Sequence, residues 1–309
     1  MNSAESDFIA LMRNFARDPA ARGLLDDAAV IAIGGENLVL THDMIVEGVH
    51  FLPSDPPADI GWKLAAVNLS DLAAKGAAPR GCLLGYALSG DAAWDAAFAG
   101  GLAEALDRYA CPLLGGDTVA APAGAPRGFG LTAIGTSGHA PSRSGAQPGD
   151  TLWLGGPVGD AGIGLMIARG ERTGPAALLA AYRRPVPQLD LGRRIAPRVH
   201  AMMDVSDGLL IDAARLAAAS GARVTIDLAR IPLSRELRSV AGDSSATRIA
   251  AASAGDDYVL LAAGPGDLGV EIEELTAIGS IGAGEGLRLV EGNTRIPLPR
   301  RLGYEHEPL

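Results

Sequence analysis

The sequence predicts a layered α/β fold in two domains. Three observations carry that prediction. Short apolar runs of strand length alternate with longer stretches of helical periodicity from one end of the chain to the other. At 309 residues the chain is long enough for two cores. The stretch Pro141–Asp150 is polar and rich in turn formers, and makes a natural boundary between residues 1–140 and 141–309.

The elements follow in order. Val30–Ile33 and Leu38–Thr41 read as two strands around the turn Gly34-Gly35. Asp59 to Lys75 reads as a helix closed by Gly76. Trp62, Ala65, Leu69 and Leu72 form its apolar stripe, and Asn68, Asp71 and Lys75 a separate polar stripe. Leu83–Leu88 is a strand. Asp91 to Tyr109 is a helix with Trp94, Phe98, Leu102 and Leu106 at spacing four. Cys111–Leu114 is a strand running into Gly115-Gly116-Asp117, and Gly128–Thr136 another. Beyond the boundary, strands are expected at Thr151–Leu154, Ala201–Met203, Arg223–Asp227, Tyr258–Ala262 and Leu287–Val290. Helices are expected at Gly159–Arg169, Ala176–Tyr182, Gln188–Val199 and Gly208–Ser220.

Composition narrows the function. A net charge of −10 argues against non-specific binding of nucleic acid or of an anionic membrane. No run of about 18 apolar residues is present to span a bilayer. Met1 to Asp18 carries early acids and no apolar core, which is not the pattern of a signal peptide. Cys82 and Cys111 lack metal-ligand spacing and read as free buried thiols in a reducing, cytoplasmic setting.

The chemistry lies in the aspartates. They sit in short motifs that contain Gly, Ser, Thr or Ala: Asp26-Asp27-Ala28-Ala29, Thr41-His42-Asp43, Asn68-Leu69-Ser70-Asp71, Gly115-Gly116-Asp117-Thr118, Asp204-Val205-Ser206-Asp207-Gly208 and Gly255-Asp256-Asp257-Tyr258. Such residues suit turns, strand ends and hard-cation ligation. Paired carboxylates such as Asp26-Asp27 repel unless a cation or donor lies between them. An oxygen-rich Mg²⁺ site assembled from distant segments accounts for the series, and protein-bound Mg²⁺ usually arrives with phosphates. No Gly-x-x-x-x-Gly-Lys-Ser/Thr loop is present. The Gly155–Gly164 run could offer backbone N–H groups to a phosphate or form only a tight turn. Arg143 could contact a phosphate or be solvated, and His50 could be structural or functional.

Taken together and in this order, the motifs resemble the thiamine-monophosphate kinase family of the aminoimidazole-ribotide-synthetase-like superfamily. Asn68-Leu69-Ser70-Asp71-Leu72-Ala73 and Gly48-Val49-His50-Phe51 carry the kinase-specific part. The chain departs from that family's pattern at Leu25, His42, Asp256 and Val259. The resemblance implies an N-terminal ATP- and Mg²⁺-binding domain that dimerises through its sheet, and a C-terminal α/β domain that completes the site. It implies ATP-dependent phosphorylation of thiamine monophosphate in a homodimer. It assigns several Mg²⁺ ions to Asp27, Thr41, Asp43, Asp71, Asp117, Asp204 and Asp207, with Asp71 and Asp207 central to transfer and no general base. It assigns ATP to Gly116, Asp117, Arg143 and Ser206, and thiamine monophosphate to His50, Asp256 and Tyr304. Another ATP-dependent enzyme of the superfamily, or a non-catalytic Mg²⁺–nucleotide sensor, stands as the alternative.

Overall fold

The computed structural model describes residues 4–122 and 124–306. Met1–Ser3, the start of the segment examined for a signal peptide, lie outside the described residues. Helix α1 (Ala4–Met12) opens the chain. The first sheet contains β1 (Ala29–Ile33), β2 (Glu36–Val46), β3 (Ala78–Leu88), β4 (Leu113–Ala120) and β5 (Gly128–Ser137) in the order β1-β2-β5-β3-β4. Its pairs are antiparallel except β3 with β4. Helices α2 (Pro57–Ala74) and α3 (Ala92–Arg108) belong to the same half.

The second sheet contains β6 (Thr151–Leu154), β7 (Ala201–Val205), β8 (Arg223–Asp227), β9 (Val259–Gly264), β10 (Thr276–Gly282), β11 (Gly286–Glu291) and β12 (Thr294–Ile296). Their order is β12-β11-β8-β10-β6-β9-β7, with only β11 and β8 parallel. The helices of this half are α4 (Asp160–Ala168), α5 (Ala176–Arg183), α6 (Leu189–Ile195), α7 (Leu209–Ser220), α8 (Arg235–Ala241), α9 (Ser245–Ala252) and α10 (Leu268–Glu271).

Helix α2 organises both halves. Every residue from Ile60 to Ala74 is buried, so this helix has no solvent face along that length. Its Leu64, Leu69 and Leu72 join a core that also takes in Phe98 and Phe129 from the first half and Met202 and Leu260 from the second. The approach of α6 is close: a Cβ on Gly192 would stand 2.1 Å from Ala73 O. Polar residues are tolerated inside α2 because each has a partner. Asn68 donates to Leu64 O at 3.0 Å and accepts from Asp43 N–H at 2.8 Å, and Ser70 donates to Asp204.

Some boundaries differ from expectation. Gly115-Gly116-Asp117-Thr118 is not a turn after a strand: β4 runs straight through it, paired with Leu83–Leu88. Strand β2 continues to Val46, and β3 begins at Ala78. Helix α6 stops at Ile195, short of Val199. Strand β10 was not foreseen because Gly279 and Gly282 interrupt its apolar pattern. Gly279 is required there, since a Cβ would lie 2.0 Å from Thr225 O on β8.

A carboxylate-lined cleft between the two halves

A cleft of about 750 Å³ opens between the halves. Asp43, His50 and Val67 line it from the first half, and Ser206, Asp207, Asp256, Tyr258, Tyr304 and His306 from the second. Apart from these lining residues, oxygens of Asp27, Asp71 and Asp204 lie within 4.8 Å of one another, and Asp71 and Asp204 are buried. Three elements deliver them: the segment before β1, the buried face of α2 and the end of β7.

These carboxyls are held in unequal states. Burial pushes Asp71 well above the usual carboxylate range, and repulsion from Asp43, Asp204 and Asp27 adds to it. Burial raises Asp204 to about 8, with Asp27 contributing repulsion. Asp43 is raised to about 6 by burial and by Asp27 and Asp207. Asp27 goes the other way: burial would raise it, but the Arg143 guanidinium and the Lys75 ammonium outweigh burial and hold it low. Thr41 donates to Asp71 and lies 3.3 Å from Asp27 O. Convergent, mutually repelling carboxylates fit a divalent cation. Asp27 Oδ2 is buried with the Lys75 ammonium, 2.8 Å away, as its ion-pair partner.

Asp207 is brought to the same cleft, where Arg215 pairs with it at 2.5 Å. The turn that carries it is pinned from behind: Asp212, fully buried, accepts from Asp207 N–H at 3.1 Å and Gly208 N–H at 3.2 Å. Burial raises Asp212 to about 7, against the pull of Arg215. Arg143 is neither a solvated linker residue nor free for an anion in this state, because it is paired with Asp27. Ser206 faces the cleft.

His50, Asp256 and Tyr304 also line the cleft; Asp256 N–H donates to Ser206 O at 2.7 Å and Tyr304 N–H to Asp207 O at 2.9 Å. The His50 ring lies 5.3 Å from His306, and Tyr304 meets His306 edge-on at 5.0 Å. Burial lowers the pKa of His50, with His306 adding to the effect. Lys63, on α2, is 2% exposed and donates to Asp256 Oδ2 at 2.8 Å and His50 O at 2.9 Å. The other Asp256 oxygen accepts from Tyr258 O–H at 3.0 Å. Asp256 is thereby fixed from both sides in a left-handed conformation, φ 69°.

Two expected residues do not join the cluster. Gly116 and Asp117 lie on β4, exposed at the sheet edge. Three strand spacings, roughly 14 Å, separate β4 from Asp43 on β2. The Gly155–Gly164 run gives no open anion cradle either. Asp257 accepts from Gly159 N–H at 2.6 Å and contacts Ala161 N–H, so the start of α4 already has its carboxylate. The sequence reading also left out Lys63, Lys75, Tyr258, Asp212 and His306. The polar stripe containing Lys75 was a usable signal, but the cross-domain reach of Lys63 had none.

The two halves are those of the AIR synthase related class of two-domain proteins. Residues 25–137 match the family "AIR synthase related protein, N-terminal domain", and residues 147–290 match its C-terminal domain. Within that class, the thiamine-monophosphate kinase of Caulobacter vibrioides is 40% identical over 98% of this chain and 90% of its own. The crystal structure of thiamine-monophosphate kinase from Stenotrophomonas maltophilia is 36% identical, with a TM-score of 0.76 over 92% of this chain and 94% of that one. AaThiL complexed with AMPPCP and TMP is 29% identical, with a TM-score of 0.82 over 96% of both chains. The chain belongs to the thiamine-monophosphate kinase family.

Proposed function

We infer that this chain is an ATP-dependent kinase that converts thiamine monophosphate to thiamine diphosphate. The observation that carries the inference is the pairing of two unlike sets of groups: the Asp27–Asp71–Asp204 cluster and the cleft residues His50, Asp256 and Tyr304. A protein 29% identical over nearly the whole chain has been solved with AMPPCP and TMP.

The acceptor is itself a phosphate. With a second pKa near 6, a phosphate monoester is mostly dianionic at neutral pH and needs no strong general base. The chain therefore has to orient two polyanions in line and offset their repulsion. Asp27, Asp43, Asp71, Asp204 and Asp207, with Thr41 alongside, would hold Mg²⁺, which would supply the charge neutralisation. Arg143 and Ser206 face the nucleotide, and His50, Asp256 and Tyr304 the acceptor. Transfer is direct, without a phospho-enzyme.

On this reading residues 1–140 form the ATP, Mg²⁺ and dimerisation domain, and residues 141–309 the domain that completes the site. A homodimer formed through the first sheet accounts for its surface. Met44, Leu83, Leu113, Leu114 and Val119 are large apolar residues more than 40% exposed on that sheet. Edge strand β4 would be covered in the same way. Gly116 and Asp117 then serve ATP as a contribution to the partner's cleft rather than to their own. A cytoplasmic setting suits two buried free cysteines, and among the described residues no helix is long and apolar enough to cross a membrane. The test is formation of thiamine diphosphate from thiamine monophosphate and ATP, with and without Mg²⁺. Rapid quench with labelled ATP, if it trapped an aspartyl-phosphate, would contradict direct transfer.

A further inference from the structure

Lys75 has no place in the assignments so far, yet it borders the cluster at Asp27. It caps the C-terminal end of α2 and is wholly buried. Its ammonium donates to Asp26 and to Met202 O at 3.2 Å, and pairs with Asp27 Oδ2 at 2.8 Å. A lysine normally carries its charge to water along its flexible stem. Burial of an ammonium is tolerated only where fixed negative charge compensates it.

The two adjacent aspartates have been given different tasks. Asp26 is saturated: Arg22 holds Oδ2, while Lys75, Asp27 N–H at 3.0 Å and Arg143 N–H at 3.3 Å share Oδ1. It is an anchor and lies outside the carboxylate group that could hold a metal. Asp27 keeps Oδ2 facing Lys75 alone, and the same side chain belongs to the Asp27–Asp71–Asp204 group.

We propose that Lys75 is a resident counter-cation of this site, holding Asp27 in position before Mg²⁺ arrives and competing with Mg²⁺ for that carboxylate. The proposal rests on reading Asp27, Asp71 and Asp204 as Mg²⁺ ligands. A unit positive charge a few ångströms from a divalent ion repels it, and more strongly where solvent is excluded. The ammonium thus pre-organises the carboxylates and at the same time limits how tightly the empty site retains metal. Mg²⁺ then comes and goes with the nucleotide phosphates.

The experiment uses the full chain, freed of metal by EDTA, with MgCl₂ as the only titrant. In Lys75→Met the side chain keeps its length and loses its charge. The expected result is a Mg²⁺ Kd at least about tenfold lower than wild type. The metal-free melting temperature should fall by about 5 °C or more, and Mg²⁺ should recover most of the loss. Should Lys75→Met not fold without metal, Asp26→Asn/Lys75→Met removes both members of the ion pair together, and the same decrease in Kd is expected. A Mg²⁺ Kd equal to wild type in a folded variant overturns the role of Lys75 and leaves the metal site standing. Absence of Mg²⁺ binding in wild type and variants alike overturns both.

Discussion

Lys63→Met tests the proposed acceptor site apart from the proposed nucleotide site. The Lys63 ammonium ties α2 to residues of both halves, through His50 O and Asp256 Oδ2. It also lies 4.3 Å above the Tyr182 ring. Loss of two charge-assisted hydrogen bonds, each contributing about 1.5–3 kcal/mol, sets the upper range. The Asp256 side chain is 27% exposed, so water re-solvates part of what Lys63 releases. The net loss of folding stability should be about 2–3 kcal/mol, measured by urea denaturation. The second effect is on substrate. Asp256 keeps only the Tyr258 hydroxyl and can leave its left-handed conformation. KM for thiamine monophosphate should rise roughly tenfold, equivalent to about 1.4 kcal/mol, while KM for ATP stays within about twofold. A variant that is less stable but has an unchanged KM for thiamine monophosphate would show that Lys63 only clamps the fold, and the reasoning would fail.

Three further predictions address other parts of the site. Asp71→Asn should abolish turnover while leaving the melting temperature unchanged or higher, because it removes a buried carboxyl repelled by three neighbours; normal turnover would exclude Asp71 from the metal set. Asp43, Asp204 and Asp212 have folded-state pKa values raised to about 6, 8 and 7 from an ordinary 3.8. A carboxyl of this kind contributes stability that is whole below 3.8 and is lost as the pH rises through its folded value. The metal-free chain should therefore lose stability between about pH 5 and pH 8, and the melting shift caused by Mg²⁺ should be larger at the alkaline end; a larger shift at pH 5 would refute the sign. Leu114→Lys places a charge on the exposed β4 edge and should shift the sedimentation coefficient from dimer to monomer, an outcome that an unchanged dimer would contradict.

The sequence made most of the fold legible wherever periodicity and punctuation agreed. Helix α2 was readable because its apolar stripe, its polar stripe and Gly76 all pointed to the same element. Strand β10 was not, because its glycines answer to a neighbouring backbone that only the folded sheet supplies. The carboxylate cluster was readable as a set because aspartates beside small residues share one chemistry. Their division of labour was hidden. Adjacent in sequence, Asp26 is an anchor and Asp27 a cluster member, and what separates them is Lys75 and Arg143, 49 and 116 residues away. Likewise Asp256 and Asp257 look equivalent, yet one faces the cleft and the other caps α4. Asp117 shows the converse limit: its motif resembles a ligand, but the strand that bears it runs along the far edge of the sheet.

The absence of a solvent face on α2 bears on how this protein can vary over time. Surface helices accumulate substitutions on their wet side at little cost, and that freedom lets a lineage drift while its function persists. Between Ile60 and Ala74 there is no wet side. Each exchange there must satisfy two cores and a charged cleft together, so the helix resists change even where no side chain meets a ligand. Innovation in acceptor preference has easier ground in the loops that bring Asp256 and Tyr304 to the cleft.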